Sequence, residues 1–202
     1  MAILQNGIHR LAMRLSLGWI LIWVVGLNVY WTLALGAIGP QFQQIAGAPL
    51  LDLENVRGVL NADEATALLT SYSPAAQTFY WVFFILDNVI PLIAFGSFAI
   101  LWAYLLQRFP LRLESLARSS LVLLPLGVGL FDILENLCFV IAMSGDPASA
   151  LTPVQIGLTF VNLKAICLFL TFGLTLLFAV IAIVTQLQKR MSMTQTPRTN
   201  TV

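Results

Sequence analysis

Apolar residues in this chain fall into four long blocks, 15–38, 77–106, 119–143 and 153–187, with the polar residues gathered between them. Each block is long enough to span ~30 Å of hydrocarbon at ~1.5 Å of helical rise per residue. A segment crossing lipid alone must satisfy its own backbone hydrogen bonds, so all four are predicted to be helices. The alternating segments of about ten residues that mark a membrane β-barrel do not occur. The expected fold is all-α: a polytopic four-helix transmembrane bundle forming a single domain over residues 1–190. The tail 191–202, rich in Thr, Gln and Pro, is expected to be disordered.

Two segments need separate treatment. Arg10 and Arg14 precede the first block as basic residues precede a signal peptide. Its apolar stretch exceeds the roughly 7–15 residues of a signal core, and no small-x-small cleavage pattern follows, so a retained helix is predicted. The loop 39–76 is the largest extramembrane piece. Within it Asn61 and Glu64 have capping-box spacing, ahead of an apolar stripe of Ala65, Leu68 and Leu69. A short helix over 62–72 is therefore expected, lying on the bilayer surface or capping the bundle. Phe109-Pro110 marks a tight turn on the other side, among basic flanks that suit anionic headgroups.

Composition agrees with a membrane protein. The chain is 59% hydrophobic and 9% charged, against about 25% charged in a soluble domain. That leaves too few charges to cover a wet surface or to bind nucleic acid, and makes membrane lipids the first partners expected. The distribution of charge sets the orientation. Arg10, Arg14, Arg108, Arg112, Arg118, Lys189, Arg190 and Arg198 fall on the side of the termini, and Arg57 alone on the other. The positive-inside rule then places both termini in the cytoplasm, as in a multi-pass protein of a bacterial inner membrane. Asp52, Glu54, Asp63, Glu64 and Asp146 fall outside, and Glu114 inside. Trp81 and Trp102, near opposite ends of the second span, suit the two interfaces.

Sulfur and imidazole add no chemistry. Cys138 and Cys167 differ in expected depth by ~13 Å, beyond the ~7 Å Cα separation a disulfide tolerates. The single His9 lies outside the membrane and no metal-ligand spacing occurs, so neither metal nor cofactor is expected. Nucleotide loops and nucleophile–His pairs are also missing, which argues against ATP-driven transport and hydrolase chemistry.

Four charged residues remain, all inside predicted spans: Asp87, Asp132, Glu135 and Lys164. A charge at the bilayer centre costs at least ~2.5–3.5 kcal/mol, so these should face one another, a cavity or a ligand. Counted from the outer ends of their spans, all four, together with Asn28, fall ~12–17 Å deep, near the midplane. Asp132, Glu135 and Asn136 are spaced i, i+3, i+4 and share one helix face. Pro91 lacks the N–H that would bond the carbonyl of Asp87, so a kink and an additional acceptor are expected at that level. Three carboxylates against one ammonium cannot all remain ionised at close range in low dielectric. Either a proton or an external cation completes the set. Lys164 is expected to pair with Asp132 or Glu135, leaving Asp87 or the other acid to titrate. Asn28, Asn88, Asn136 and Asn162 fit the role of polar contacts between helices.

Phe83-Phe-Ile-Leu-Asp-Asn-Val89 and Phe131-Asp-Ile-Leu-Glu-Asn-Leu137 align as a local repeat in antiparallel helices, a pattern found around midplane sites of transporters. The Leu86-Asp87 to Pro91 segment and the Phe131-Asp132-x-x-Glu135-Asn136 segment, followed by a lysine-bearing last span, resemble uncharacterised bacterial four-span membrane proteins over roughly Asn61 to Arg190. That resemblance implies no activity. More loosely, four helices with buried acids look like the sterol-isomerase and sigma-2-receptor group, whose bundle binds lipidic amines and isomerises sterol double bonds. That group's acids and aromatic motifs do not align position by position here, so the likeness implies architecture alone.

Three functions fit these features. The midplane cluster Asp87, Asp132, Glu135, Lys164, Asn136 and Asn28 binds or moves a lipophilic or cationic small molecule or a proton. Alternatively, its acids perform acid–base chemistry on a lipid-like substrate, or the chain is an accessory subunit whose polar residues fix helix register. Four helices enclose too little space for an aqueous pore, so a channel would require a homo-oligomer.

Overall fold

The computed structural model describes residues 2–51, 61–108 and 120–194. Among these residues are six α-helices and no strand. They are α1 (Ala2–Arg14), α2 (Leu17–Ala46), α3 (Ala62–Ser71), α4 (Pro74–Leu106), α5 (Leu124–Ser144) and α6 (Leu151–Thr194). Of these, α2, α4, α5 (with the 3-10 turn Ser120–Leu123 before it) and α6 are long and apolar enough to cross a membrane. Four crossings bring the start of α2 and the end of α6 to the same face. Asp52, Glu54, Arg57, the Phe109-Pro110 turn, Arg112, Glu114, Arg118 and Arg198 lie outside the described residues.

The centre of the bundle is α4 and α5, while α2 and α6 expose more of their length to lipid. Small residues permit the close approaches. A methyl group at Gly157 of α6 would sit 2.7 Å from Phe139 Cε1 on α5, and one at Gly129 of α5 would sit 3.1 Å from Leu92 Cα on α4. Cys167 packs at Gly127 and Cys138 at Gly157, so the two thiols occupy different levels of one interface and both are free.

The buried apolar residues form two separate clusters. Toward the face of the termini are Val24 of α2, Phe98 and Trp102 of α4, Val128 of α5 and Phe178 of α6. Toward the opposite face are Phe42, Tyr80, Phe83, Phe139 and Val154. Trp102, expected near an interface, is fully buried between helices and donates its indole N–H to Thr175 Oγ1 at 2.7 Å, tying α4 to α6. Trp81, near the other end of α4, is exposed.

The outer cap is built from local chemistry. Asn61 Oδ1 accepts from the Glu64 amide at 2.9 Å, and Glu64 Oε2 accepts from the Asn61 amide at 3.2 Å, closing the capping box. Ala65 and Leu69 of α3 are fully buried, and α3 packs on α5 and α6, so it caps the bundle. The Tyr72 hydroxyl donates to Pro49 O and accepts from the Leu51 amide, while the Tyr80 hydroxyl donates to Leu51 O. These bonds pin the end of the loop's first arm over the bundle.

Three boundaries differ from expectation. Residues 39–46, expected in the loop, continue α2 through Pro40 to a left-handed Gly47 cap. Gly36, which lies four residues before Pro40, has open space around it, and Phe42 is held between Tyr72, Phe79 and Tyr80. Residues 191–194, expected in the disordered tail, extend α6; the rest of that tail lies outside the described residues. The N-terminal α1 was not anticipated. Its stripe of Leu4, Ile8, Leu11 and Leu15 at helical spacing, ended by Ser16 capping α2, was the available signal.

The close approach at Gly157 gives a stability test. Gly157→Ala must displace the buried Phe139 ring and should cost about 1–3 kcal/mol. Gly26→Ala, at a position with no atom within 4 Å, should be neutral or stabilising. Thermal unfolding of both variants in lipid nanodiscs checks the pair, and equal melting temperatures would contradict the packing.

Candidate functional site

Between the two apolar clusters lies a single polar layer. Along α4 the sequence of buried positions runs Tyr80, Phe83, Asp87, Pro91, Ala94; along α5 it runs Val128, Asp132, Glu135, Asn136, Phe139; along α6 it runs Val154, Val161, Lys164. Each helix thus switches from one cluster to polar and back to the other at the same depth. Asp87, Asp132, Glu135, Asn136 and Lys164 are each no more than 9% exposed, so none turns toward acyl chains.

The ammonium of Lys164 is the hub. Its Nζ donates to Asp132 Oδ1 at 2.6 Å and forms an ion pair with Glu135 Oε2 at 2.5 Å. The expectation was one partner; helix geometry supplies two. Asp132 and Glu135 stand three residues apart on one face of α5, so both reach a single group presented by α6. Charge-assisted bonds of this kind are among the strongest polar contacts available to a protein.

Asp87 is held differently. Its Oδ2 accepts from Asn136 Nδ2 at 2.7 Å, which links α4 to α5 next to the lysine pair. Asn136 occupies the face shared by Asp132 and Glu135, so one turn of α5 organises the whole layer. Asp132 Oδ2 finds no hydrogen-bond partner among the described residues. Helix α4 continues as one element through Pro91, so the residue after Asp87 that lacks an N–H does not interrupt it.

The asparagines separate into two groups. Asn136 bridges helices. Asn28 of α2, at the same level, donates its Nδ2 to Val24 O of its own helix at 2.7 Å, and Asn88 donates to Phe84 O of its own helix at 2.5 Å. Asn162 is exposed. The repeat is therefore only half expressed in contacts: Asn136 reaches the acid of the other copy, whereas its counterpart Asn88 bonds within α4.

The layer's donor set is carboxyl, amide and ammonium. No group of three or more His, Cys, Asp or Glu side chains suited to a metal ion occurs among the described residues. Three acids with one base carry a formal charge of −2 when all are ionised, within a layer walled by hydrocarbon on both sides. What the arrangement can do is hold and release protons, or attract a cation. No family model, curated protein or solved structure matches this chain.

Proposed function

We propose that the polar layer is a proton-exchanging centre of an integral membrane protein that binds or moves a small lipophilic, cationic molecule or the proton itself. The observation that carries this reading is the gathering of three buried carboxyl groups around one ammonium, which pairs with two of them and leaves Asp87 to a neutral amide. Lys164 is committed to Asp132 and Glu135, whereas the hydrogen bond given to Asp87 comes from a neutral amide. Asp87 is accordingly the exchangeable member: protonated in the resting layer, and ionised when a cation takes the proton's place. The cost of an unbalanced charge in hydrocarbon enforces this exchange.

A structural lock is the second reading, favoured by the enclosure of Lys164 between two acids and of the layer between two apolar clusters. Asp87→Asn separates the two. For the exchange centre, melting temperature in nanodiscs stays near wild type while stabilisation by a panel of lipophilic amines disappears. A large loss of stability, with no amine response in either protein, supports the lock instead.

Two further outcomes are expected. Lys164→Met leaves Asp132 and Glu135 buried without their cation and should cost about 3–5 kcal/mol. The triple variant Lys164→Met, Asp132→Asn, Glu135→Gln should recover most of that stability, and a triple variant no better than the single would refute the ion pairs. In infrared spectra of protein in lipid, Asp87→Asn should remove one protonated-carboxyl C=O band. A band unaffected by substitution of any of the three acids would end the exchange reading.

A further inference from the structure

Away from the polar layer, the structure contains a cavity of about 480 Å³ roofed by α1. Its roof is the apolar stripe Leu4, Ile8, Leu11 and Leu15, and its inner wall includes Ile93 and Gly96 of α4. The lining is apolar apart from the indole of Trp23 and Ser97, whose hydroxyl is already donated to Ala94 O. The volume falls within the ~300–1,000 Å³ of small-molecule sites. Ile93 lies thirteen residues before the end of α4 at Leu106, so the cavity reaches ~20 Å into the helix from that face. Its lining on α4, from Ile93 to Ile100, lies along a membrane-spanning helix.

The polar side of α1 supplies the second half of the recognition. Arg10 and Arg14, both exposed, are four residues apart and share one flank of α1. Residues 2–51, which include all of α1 and α2, contain no Asp or Glu, so no carboxylate on these helices offsets the two guanidinium groups. Arg108, in the turn after α4, is by contrast engaged, with its Nη1 donating to Tyr104 O and its guanidinium stacked on the Tyr104 ring. An amphipathic helix with basic residues on its polar side attracts acidic headgroups.

We propose that this cavity is a binding site for one anionic phospholipid of the surrounding leaflet, with an acyl chain under α1 and the phosphate at Arg10 and Arg14. Filling the cavity restores the dispersion contacts its walls otherwise lack, and the arginines select the charge. The site is independent of the function proposed for the polar layer.

The test is native mass spectrometry of full-length protein stripped in mild detergent and re-exposed to phosphatidylglycerol, phosphatidylcholine or palmitate. Wild type should retain one phosphatidylglycerol and little phosphatidylcholine. Each arginine near a headgroup is worth about fivefold in affinity, so Arg10→Gln with Arg14→Gln should weaken retention roughly 25-fold. The melting temperature of that variant in phosphatidylcholine nanodiscs should not change. Gly96→Leu, where a Cβ meets only Leu126 Cδ2 at 4.0 Å, should fill the cavity and abolish retention. Equal retention of both phospholipids, full retention by either variant, or displacement of the phospholipid by equimolar palmitate would overturn the assignment.

Discussion

A single ammonium placed between two carboxylates in the middle of a hydrocarbon slab constrains everything around it. Lys164 cannot face lipid without a cost of several kcal/mol, and neither can Asp132 or Glu135. Their ion pairs fix the rotation and height of α6 against α5. The Asp87–Asn136 bond does the same for α4 against α5. Because apolar packing between helices in lipid has little directional preference, these few polar contacts determine which faces meet. The glycine contacts at Gly129 and Gly157 then let the helices approach closely enough for the short bonds to form.

Enclosure gives the layer its chemical character. On one side lie Phe83 and Phe139, with Tyr80 and the α3 cap above them; on the other lie Val128, Phe98 and the Trp102–Thr175 link. Water is kept away from both directions along the bundle axis, so charge must be balanced within the layer itself. That requirement connects packing to function. The same walls that make the ion pairs strong make the excess negative charge intolerable, and a proton or a cation is the remedy. The α1–α2 flank holds an apolar cavity apart from this layer.

The sequence was informative where the energetic cost of an error is largest. Four helical spans follow from uninterrupted apolar runs, and the polar layer follows from five residues that no lipid-facing position would tolerate. The capping box at Asn61 and Glu64 was equally legible, because it depends on two residues at fixed spacing. Features settled by tertiary contact were not. The first apolar block ends at residue 38, but the burial of Phe42 among aromatic rings accompanies the continuation of α2 through Pro40. The placement of Trp102 near a span end was legible, but its burial against Thr175 on another helix was not. Asn28 sits at the predicted level yet bonds its own backbone, a choice that depends on helix rotation rather than on depth.

Lys164 bridging both acids of α5 is the element on which the layer, the register and the proposed exchange all depend. Solid-state NMR distance measurement between ¹⁵Nζ of Lys164 and the carboxyl carbons of Asp132 and Glu135, in lipid bilayers at neutral pH, tests it directly. Strong dipolar dephasing of Nζ by both carboxyl carbons is the predicted result. Dephasing by neither, or an ammonium in contact with water or lipid phosphate, would contradict the account.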